Sequence, residues 1–364
     1  MKTILLLLSS LFAVSAAGQA PPEKIVGGPF VVNVTGRNAT IVWLVQSGEA
    51  SVQPASGGAA RVSPSVRVEK TTLTGLTPNT RYDYNVAAGD QAGKGSFKTP
   101  PGAGGYDFVV YGDNRTRHDV HRRVIATLLR HGIPDFVVQT GDLVSDGFDS
   151  SLWPLFFDIE RDLLRQTAFF PALGNHERNT LLFREYFRKE KPYYSFDWGN
   201  AHFAVINSDI ANVSAQESER DAFWAEQTRW LEEDLRAHQK ADFRFVAAHH
   251  PPMTAVARRQ GDNPHMTALM PMFEKYRVSA GLFGHDHNYQ HYLKNGITYI
   301  VTGGGGAPLY DVDKPAEGIT KRVMSVENFV SVHVEGKTAH VQTVSIDGTV
   351  IDDFEIHAPA PLPE

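Results

Sequence analysis

The 364-residue sequence contains no cysteine, which excludes disulfide bonds, a thiol nucleophile and zinc sites built on thiolates. Its stability must therefore come from hydrophobic cores or from bound metal. The sequence also lacks a G-x-S-x-G nucleophile motif, so a serine esterase is not supported. The glycine-rich stretch 303–306 lacks the Lys-Ser/Thr ending of a P-loop, so the usual signature of a nucleotide phosphate site is missing as well.

A surplus of positive charge is also absent, because 41 Asp and Glu outnumber 35 Lys and Arg and leave a net charge of −6. This balance argues against a nucleic-acid partner. Beyond the N-terminus no apolar run is long enough to cross a membrane, so we expect no stable membrane insertion. Residues 1–20 combine Lys2, an apolar run and small residues at 15–17, and they predict the signal peptide of a secreted or periplasmic protein.

The chain is long enough for two domains. In residues 24–99 short runs rich in Val, Thr and Tyr alternate with turn residues, which predicts an all-β sandwich. The segment TTLTGLTPNTRYDYNV, 71–86, resembles the hallmark stretch of fibronectin type III domains. After a linker at 99–105, apolar runs alternate with helical patterns, which predicts an α/β domain over 106–358. The helical patterns cover 118–131, 151–165, 216–239 and 265–277, and a strand-rich tail covers 328–356.

Histidines are concentrated in the stretch GLFGHDHNYQHY, 281–292, which holds three of the 15 in the chain. On its own, such a cluster is either a metal site or a polar surface loop. Four other predicted strands also end in metal-binding residue types, and ligands bind at the carboxyl ends of strands in open α/β sheets. The candidates at the five strand ends are Asp113, Asp142, Asn175 with His176, His249 with His250, and His285 with His287. We therefore expect these side chains to converge at one edge of the domain.

The residue types at these strand ends also indicate which ions they would bind. Carboxylate, amide oxygen and imidazole ligands suit Fe, Zn or Mn better than calcium alone. About seven ligands are too many for one tetrahedral ion, but they suit two ions about 3.5–4 Å apart that share one carboxylate. Such a pair binds phosphoryl oxygens and generates a hydroxide nucleophile at neutral pH. The sequence therefore predicts a two-metal site, with the identity of the metals left open.

The series Asp, GD, GNHE, HH and GHDH within 106–310 resembles the calcineurin-like metallophosphoesterase superfamily, and with the N-terminal sandwich the chain resembles the purple acid phosphatases. The resemblance implies a catalytic domain with a β-sandwich core flanked by helices. It also implies two divalent or trivalent ions, the first held by Asp113, Asp142 and His287, with Asp142 bridging, and the second by Asn175, His249 and His285. His176 would donate a proton to the leaving group or hold the phosphate of a small phosphate-ester substrate.

The chain departs from the purple acid phosphatase pattern at the first metal. Ser145 stands where the family has a tyrosine that binds ferric iron, and Asn114-Arg115 follows Asp113 where the family has DxG. The missing ligand would be replaced by water or by one of His118, His121 and Asp146. Arg115 lies two residues after the metal ligand Asp113 and is well placed to contact a phosphate oxygen. The candidate catalytic residues are therefore His176, Arg115 and Asn114.

For several other polar residues the sequence gives less specific predictions. Asp286 is expected to face away from the metals, and His250 is expected to line the pocket. His202 lies on an apolar strand and is expected to be a hydrogen-bonded core residue. The basic residues within 184–191 and at 258–259 are expected to form solvated faces, or else to draw in anionic substrates.

Together these patterns predict a secreted dinuclear-metal phosphatase that hydrolyses phosphomonoesters by attack of a metal-activated hydroxide. A phosphodiesterase would use the same ligands, so the patterns do not separate the two activities. A third alternative is a binding protein with a degenerate metal site, which the missing tyrosine favours and the otherwise complete ligand set opposes.

The serine at position 145 leads to a prediction about the visible absorption of the protein. Because the purple colour of the family arises from charge transfer between tyrosine and iron, the iron-loaded protein should be colourless. The visible absorption spectrum of the protein after loading with iron tests this expectation. An intense visible band that disappears on removal of the iron would contradict it.

Overall fold

A computed structural model of the protein describes residues 23–52, 61–102 and 104–360. The predicted signal peptide, 1–20, lies outside these residues. In this part of the chain no helix is both long and apolar enough to cross a membrane.

The described chain is dominated by β-structure. In chain order the strands are β1 (Lys24–Val32), β2 (Asn38–Val52), β3 (Arg61–Thr74), β4 (Arg81–Ala88), β5 (Gln91–Lys98), β6 (Tyr106–Tyr111), β7 (Phe136–Gln139), β8 (Ala168–Pro171), β9 (Tyr194–Trp198), β10 (Ala201–Val205), β11 (Phe243–Ala247), β12 (Ala280–Phe283), β13 (Tyr289–Lys294), β14 (Ile297–Thr302), β15 (Thr320–Met324), β16 (Asn328–Glu335), β17 (Thr338–Ser345) and β18 (Val350–His357). The helices are α1 (His118–His131), α2 (Leu152–Ile159), α3 (Arg161–Leu164), α4 (Leu181–Tyr186), α5 (Glu217–Ala237), α6 (Pro264–Thr267) and α7 (Met270–Lys275).

The strands form two large mixed sheets and one hairpin. The first sheet has nine strands in the order β18-β17-β16-β6-β7-β8-β1-β2-β3, and the second has seven in the order β15-β13-β14-β12-β11-β10-β9. β4 and β5 pair only with each other among the described residues. The predicted combination of an all-β N-terminal region with an α/β domain is confirmed, and the strand-rich tail completes the first sheet as β16 to β18.

Alternate residues on the central strands belong to different cores, because successive side chains of a strand point to opposite faces. On β6, Phe108 joins a core between the two sheets, whereas Val109 packs against the helices outside the first sheet. On β10, Phe203 joins the same central core and Ala204 packs outside the second sheet. The described chain therefore has two packed sheets in its centre and helices on both outer faces, as the resemblance implied.

The helices follow the helical patterns of the sequence in position but differ from them in extent and number. α1 has the predicted bounds, and α5 is shorter than its pattern by a few residues. The pattern over 151–165 is divided into α2 and α3, and the pattern over 265–277 into α6 and α7. α4 was not predicted, because six residues are too few to show a helical period.

The N-terminal strands β1 to β3 continue the first sheet. β1 pairs with β2 in antiparallel orientation and with β8 in parallel orientation, where Val31 lies opposite Ala168. Val31 and Ile41 belong to the same buried core as Phe170. The division of the chain into domains at 24–99 and 106–358 stays a prediction, but the first sheet crosses that boundary without interruption.

His202 has the hydrogen-bonded core position that the sequence predicted. It is 1% exposed, its Nδ1 lies 2.7 Å from Asp197 Oδ1, and its Nε2 lies 2.8 Å from Asp234 Oδ2. Burial alone would lower the pKa of His202, but the hydrogen bonds to the two carboxylates outweigh burial and raise it. A charged imidazole therefore links β9, β10 and α5.

Replacing His202 by Phe should lower the free energy of unfolding by about 2–3 kcal/mol, because the buried Asp234 loses its imidazole partner on Oδ2 and keeps only Ser195 and His238 on Oδ1. The stabilisation from a raised histidine pKa is complete below the unfolded pKa and is lost as the pH rises through the folded pKa. The difference between the two proteins should therefore shrink at alkaline pH. Denaturant unfolding across a pH series measures both effects.

The control is His333→Phe, because His333 pairs with Asp107 at 2.7 Å but 51% of its side chain is exposed. Its loss should change the unfolding free energy by no more than about 1 kcal/mol. Equal effects of the two substitutions would contradict a special role for the buried pair.

Candidate metal centre

Four candidate ligands converge around His249, which follows β11. His249 Nε2 lies 3.0 Å from Asn175 Oδ1, 3.1 Å from His285 Nδ1 and 3.4 Å from Asp142 Oδ1. Its Nδ1 lies 2.8 Å from the carbonyl oxygen of Thr140. Because a carbonyl can only accept, Nδ1 carries the proton and the Nε2 lone pair faces the other ligands.

The other two candidate ligands, Asp113 and His287, lie beside this group. Asp113 Oδ1 lies 3.4 Å from His287 Nε2, and Asp113 Oδ2 accepts a hydrogen bond of 2.8 Å from the His285 backbone. His287 Nδ1 donates to the carbonyl of Pro308 at 2.7 Å, so its Nε2 also presents a lone pair. The structure thus brings all six predicted ligands together, and their division between two metal ions stays a prediction.

The arrangement follows from the topology. β6, β7 and β8 are parallel neighbours in the first sheet, and β11 and β12 are parallel neighbours in the second. The ligand-bearing loops all leave the carboxyl ends of these strands, so the ligands of both sheets meet at one edge. Asp113, Asp142 and His285 have left-handed backbone conformations with φ of 60°, 60° and 69°. At these turns the chain leaves the direction of the strand, and the side chains reach the edge where the ligands of both sheets meet.

The residues fit a pair of metal ions. Asp113 is fully buried, yet its Oδ1 accepts no hydrogen bond among the described residues. Burial would lower the pKa of His249, but Asp142 and Asp113 outweigh burial and raise it, so the site attracts positive charge. The ligand atoms of Asp113, Asp142 and His249 lie within 4.8 Å of one another. Carboxylate, amide and imidazole donors at such spacing suit Fe, Zn or Mn.

Glu177, the last residue of GNHE, holds the ligand loops in place and was not predicted. It is fully buried and accepts four backbone hydrogen bonds of 2.8–3.2 Å, from Asp142, Leu143, Val144 and Gly174. Burial and the nearby Asp142 carboxylate raise the pKa of Glu177, and the backbone hydrogen bonds from Val144 and Gly174 oppose this shift. Gly174 is required at this point, because a Cβ there would collide with Asp142.

Two of the three candidate catalytic residues flank Asp142. Arg115 Nε donates to Asp142 Oδ2 at 3.2 Å, and His176 Nε2 lies 3.9 Å from the same oxygen. His176 Nδ1 donates to the carbonyl of Ser145 at 2.8 Å, which directs Nε2 toward the ligands. The Arg115 side chain is 16% exposed and that of His176 is 31% exposed, so both are accessible to a substrate.

The third candidate, Asn114, is placed differently. Its side chain is fully buried, accepts from Gln139 at 2.8 Å and lies 3.1 Å from His121 Nε2. His121 Nε2 in turn lies 2.6 Å from Glu160 Oε1. Asn114 thus contacts a buried polar network rather than the ligand groups, because the turn at Asp113 sends the next side chain inward. This geometry favours a supporting role over the predicted catalytic one.

The candidates for the missing ligand also have other partners. His121 is bound to Glu160, and Asp146 lies 3.3 Å from Arg178. The Ser145 side chain and His118 are exposed. The replacement for the tyrosine ligand therefore stays a prediction.

A wall of the site was missed because its residues look like surface positions in the sequence. Arg259 contacts His285 Nε2 and donates to the Tyr310 hydroxyl at 3.2 Å, and only 17% of its side chain is exposed. The ring of Tyr310 stacks on His287 with centroids 4.1 Å apart. Asp286 accepts hydrogen bonds from Thr254 and Gln290 and lies 3.5 Å from Arg259 Nε. Arg259 is thus a second guanidinium beside the ligand groups.

The sequence profile of the calcineurin-like phosphoesterase family matches residues 106–289, which include all the candidate ligands. The chain belongs to this family. Purple acid phosphatase 21 of Arabidopsis thaliana is 26% identical over 300 residues, which cover 75% of this chain and 64% of the relative. Tartrate-resistant acid phosphatase type 5 of Rattus norvegicus is 30% identical over 237 residues, which cover 54% and 72%.

Among solved structures, the purple acid phosphatase PPD1 of yellow lupin (Lupinus luteus) seeds superposes with a TM-score of 0.70 at 18% identity. The superposition covers 90% of this chain and 74% of the lupin protein, so the shared fold includes the N-terminal strands. This chain spans a little under two-thirds of the length of the Arabidopsis relative.

Replacing Glu177 by Gln should weaken metal binding by about 10–100-fold, because an amide cannot accept the four backbone hydrogen bonds that orient the ligand loops. Competition with a chelator, followed by metal analysis of the protein, measures this loss. Glu185→Gln, at an exposed position, is the matched control and should bind metal as the natural protein does. Unchanged metal affinity in Glu177→Gln would contradict the role assigned to this residue.

Proposed function

We propose that the protein is a secreted dinuclear-metal phosphatase that hydrolyses phosphomonoesters. The observation that carries this proposal is the convergence of six carboxylate, amide and imidazole donors, two of them histidines whose Nδ1 protons are held by carbonyls. Membership of the phosphoesterase family supports the reaction class. Secretion rests on the predicted signal peptide, and the preference for monoesters rests on the similarity to acid phosphatases.

The first metal would be held by Asp113, Asp142 and His287, and the second by Asn175, His249 and His285, with Asp142 shared. When bound, such a pair supplies Lewis acidity and a water nucleophile at neutral pH. The side chains around the ligands would bind the phosphate group and protonate the leaving oxygen.

Two arginines are placed to bind the phosphate group. Arg115 lies at Asp142 and Arg259 lies at His285, so a phosphate over the ligand groups would be within reach of both guanidinium groups. Arginine binds phosphate oxygens with two parallel hydrogen bonds and stabilises the charge that develops during transfer. Tyr310 holds Arg259 from the side and limits its rotation.

His176 is placed to protonate the leaving oxygen. The Ser145 carbonyl holds the Nδ1 proton, so Nε2 is the nitrogen that would exchange a proton with the substrate. The ring is partly exposed, and a leaving group of variable size could depart past it toward solvent.

One structural neighbour favours a different class of function. The Plasmodium protein GAP50, described as the anchor in the inner membrane complex, has a TM-score of 0.58 at 16% identity and covers 71% of this chain. A fold of this kind thus also occurs in a protein described by its anchoring role. The second candidate function is therefore a binding protein, in which the metal site performs no turnover.

Asp142→Asn separates these functions. The variant should lose at least about 100-fold in turnover of para-nitrophenyl phosphate, because the shared carboxylate is removed. The natural protein and the variant are assayed with Fe, Zn and Mn, on para-nitrophenyl phosphate and on its bis-ester. Asp158→Asn, at a surface ion pair, is the control and should retain full activity.

A preference for the bis-ester would replace the phosphatase by a phosphodiesterase. Full activity of Asp142→Asn would contradict the proposed site. Metal binding without turnover of either ester would favour the binding protein.

A further inference from the structure

A second cavity lies away from the ligand groups, where the N-terminal strands meet the catalytic region. It has a volume of ≈ 860 Å³, and none of the six candidate metal ligands is among its lining residues. On the N-terminal side it is lined by the loop 33–36 and by prolines at 78, 100 and 101. On the other side it is lined mainly by Phe170 and by residues of the segment 188–197. We call it the junction cavity. Its size is that of a small-molecule site.

Lys189 is the unusual residue of this cavity. The basic residues within 184–191 were expected to be solvated, but Lys189 is only 8% exposed. Its Nζ donates to Asn33 Oδ1 at 2.9 Å and lies 3.4 Å from the centroid of the Tyr194 ring. Within the described ranges no carboxylate pairs with this amine. Burial lowers the pKa of Lys189 to about 7.

A buried ammonium without a counter-ion is unfavourable, because neither an amide oxygen nor an aromatic ring replaces its hydration fully. A purely structural side chain at this place would be more stable if it were apolar. An ammonium has three donors, and Asn33 takes one of them. Lys189 lines the cavity, so its remaining donors give it the capacity to bind an anionic group there.

The rest of the lining indicates what kind of molecule would carry that group. Arg188 and Lys191 add positive charge, whereas Glu190 and Asp197 are exposed carboxylates at the cavity. Apolar surface comes from the three prolines and from aromatic rings, among them Tyr194 and Trp230. Such walls accept a flat or apolar body beside a buried positive charge.

We propose that the junction cavity is a binding site for a small organic anion with an aromatic body, whose charged group pairs with Lys189. Because Asn33 belongs to the N-terminal region and Lys189 to the catalytic region, the bound anion would contact both. The ligand would therefore strengthen the contact between the two parts of the chain without touching the metal ligands.

The test is calorimetric titration of the full protein with 1-naphthoate, with uncharged 1-naphthamide as the matched probe and acetate as the anion without an aromatic body. Naphthoate should bind one site, at least about tenfold more tightly than either comparison probe, which corresponds to about 1.4 kcal/mol. Lys189→Met should weaken naphthoate binding at least about tenfold, because it removes the ammonium and keeps an unbranched apolar side chain. Lys240→Met, at an exposed lysine outside the cavity, is the control and should bind as the natural protein does.

Binding of naphthoate must also be assigned to this cavity rather than to the metal centre. Asp142→Asn should therefore leave naphthoate affinity unchanged. Acetylation of the natural protein, followed by mass spectrometry, should show Lys189 protected by naphthoate, and this measurement needs no substitution in the cavity. No saturable binding of naphthoate, equal affinity of Lys189→Met, or no protection of Lys189 would each overturn the proposal.

Discussion

Three buried carboxylates lie close together at the candidate metal centre, and the local structure depends on compensating their charge. Asp113 and Glu177 are fully buried and Asp142 is 2% exposed. Like charges in a low-dielectric environment repel strongly, so each carboxylate needs positive partners. Backbone N–H groups surround Glu177, Arg115 approaches Asp142, and imidazoles lie beside Asp113 and Asp142. This concentration of negative charge explains why the site attracts cations. It also ties the ligand loops to the site, because their backbone N–H groups bond to Glu177.

The site also depends on how the two sheets pack. Phe108 of β6 meets Phe203 and Phe245 edge-to-face across the sheets, with centroids 5.4 and 5.7 Å apart. These contacts fix the position of β6 relative to β11, and hence of Asp113 relative to His249. Close-packed cores transmit small displacements, so a change in this aromatic layer would reach the ligands directly. The chemistry at the edge is therefore supported by apolar packing in the centre.

The N-terminal strands contribute to both the packing and the second site. β1 extends the first sheet next to β8, and the loop after β1 carries Asn33 to Lys189. The two regions share one hydrophobic core, so the N-terminal region is part of the structural support of the catalytic sheet. The same contact produces the junction cavity, where a buried amine faces aromatic and proline surfaces. A ligand at this place would act on the contact between the regions, in a cavity that none of the candidate metal ligands lines.

The sequence by itself determined the elements and the ligand types, because these follow from local pattern. The period of 118–131 predicted α1, and the strand-end motifs predicted six side chains that the structure places together. Local pattern does not show which way a side chain turns after a left-handed residue, and so it did not place Asn114 in the buried network. Nor does it show that a basic run contains the buried Lys189, that Arg259 lies at His285, or that β1 joins the catalytic sheet. Those features depend on which distant segments meet, and only the tertiary structure decided them, because burial and pairing are properties of contacts between segments far apart in sequence.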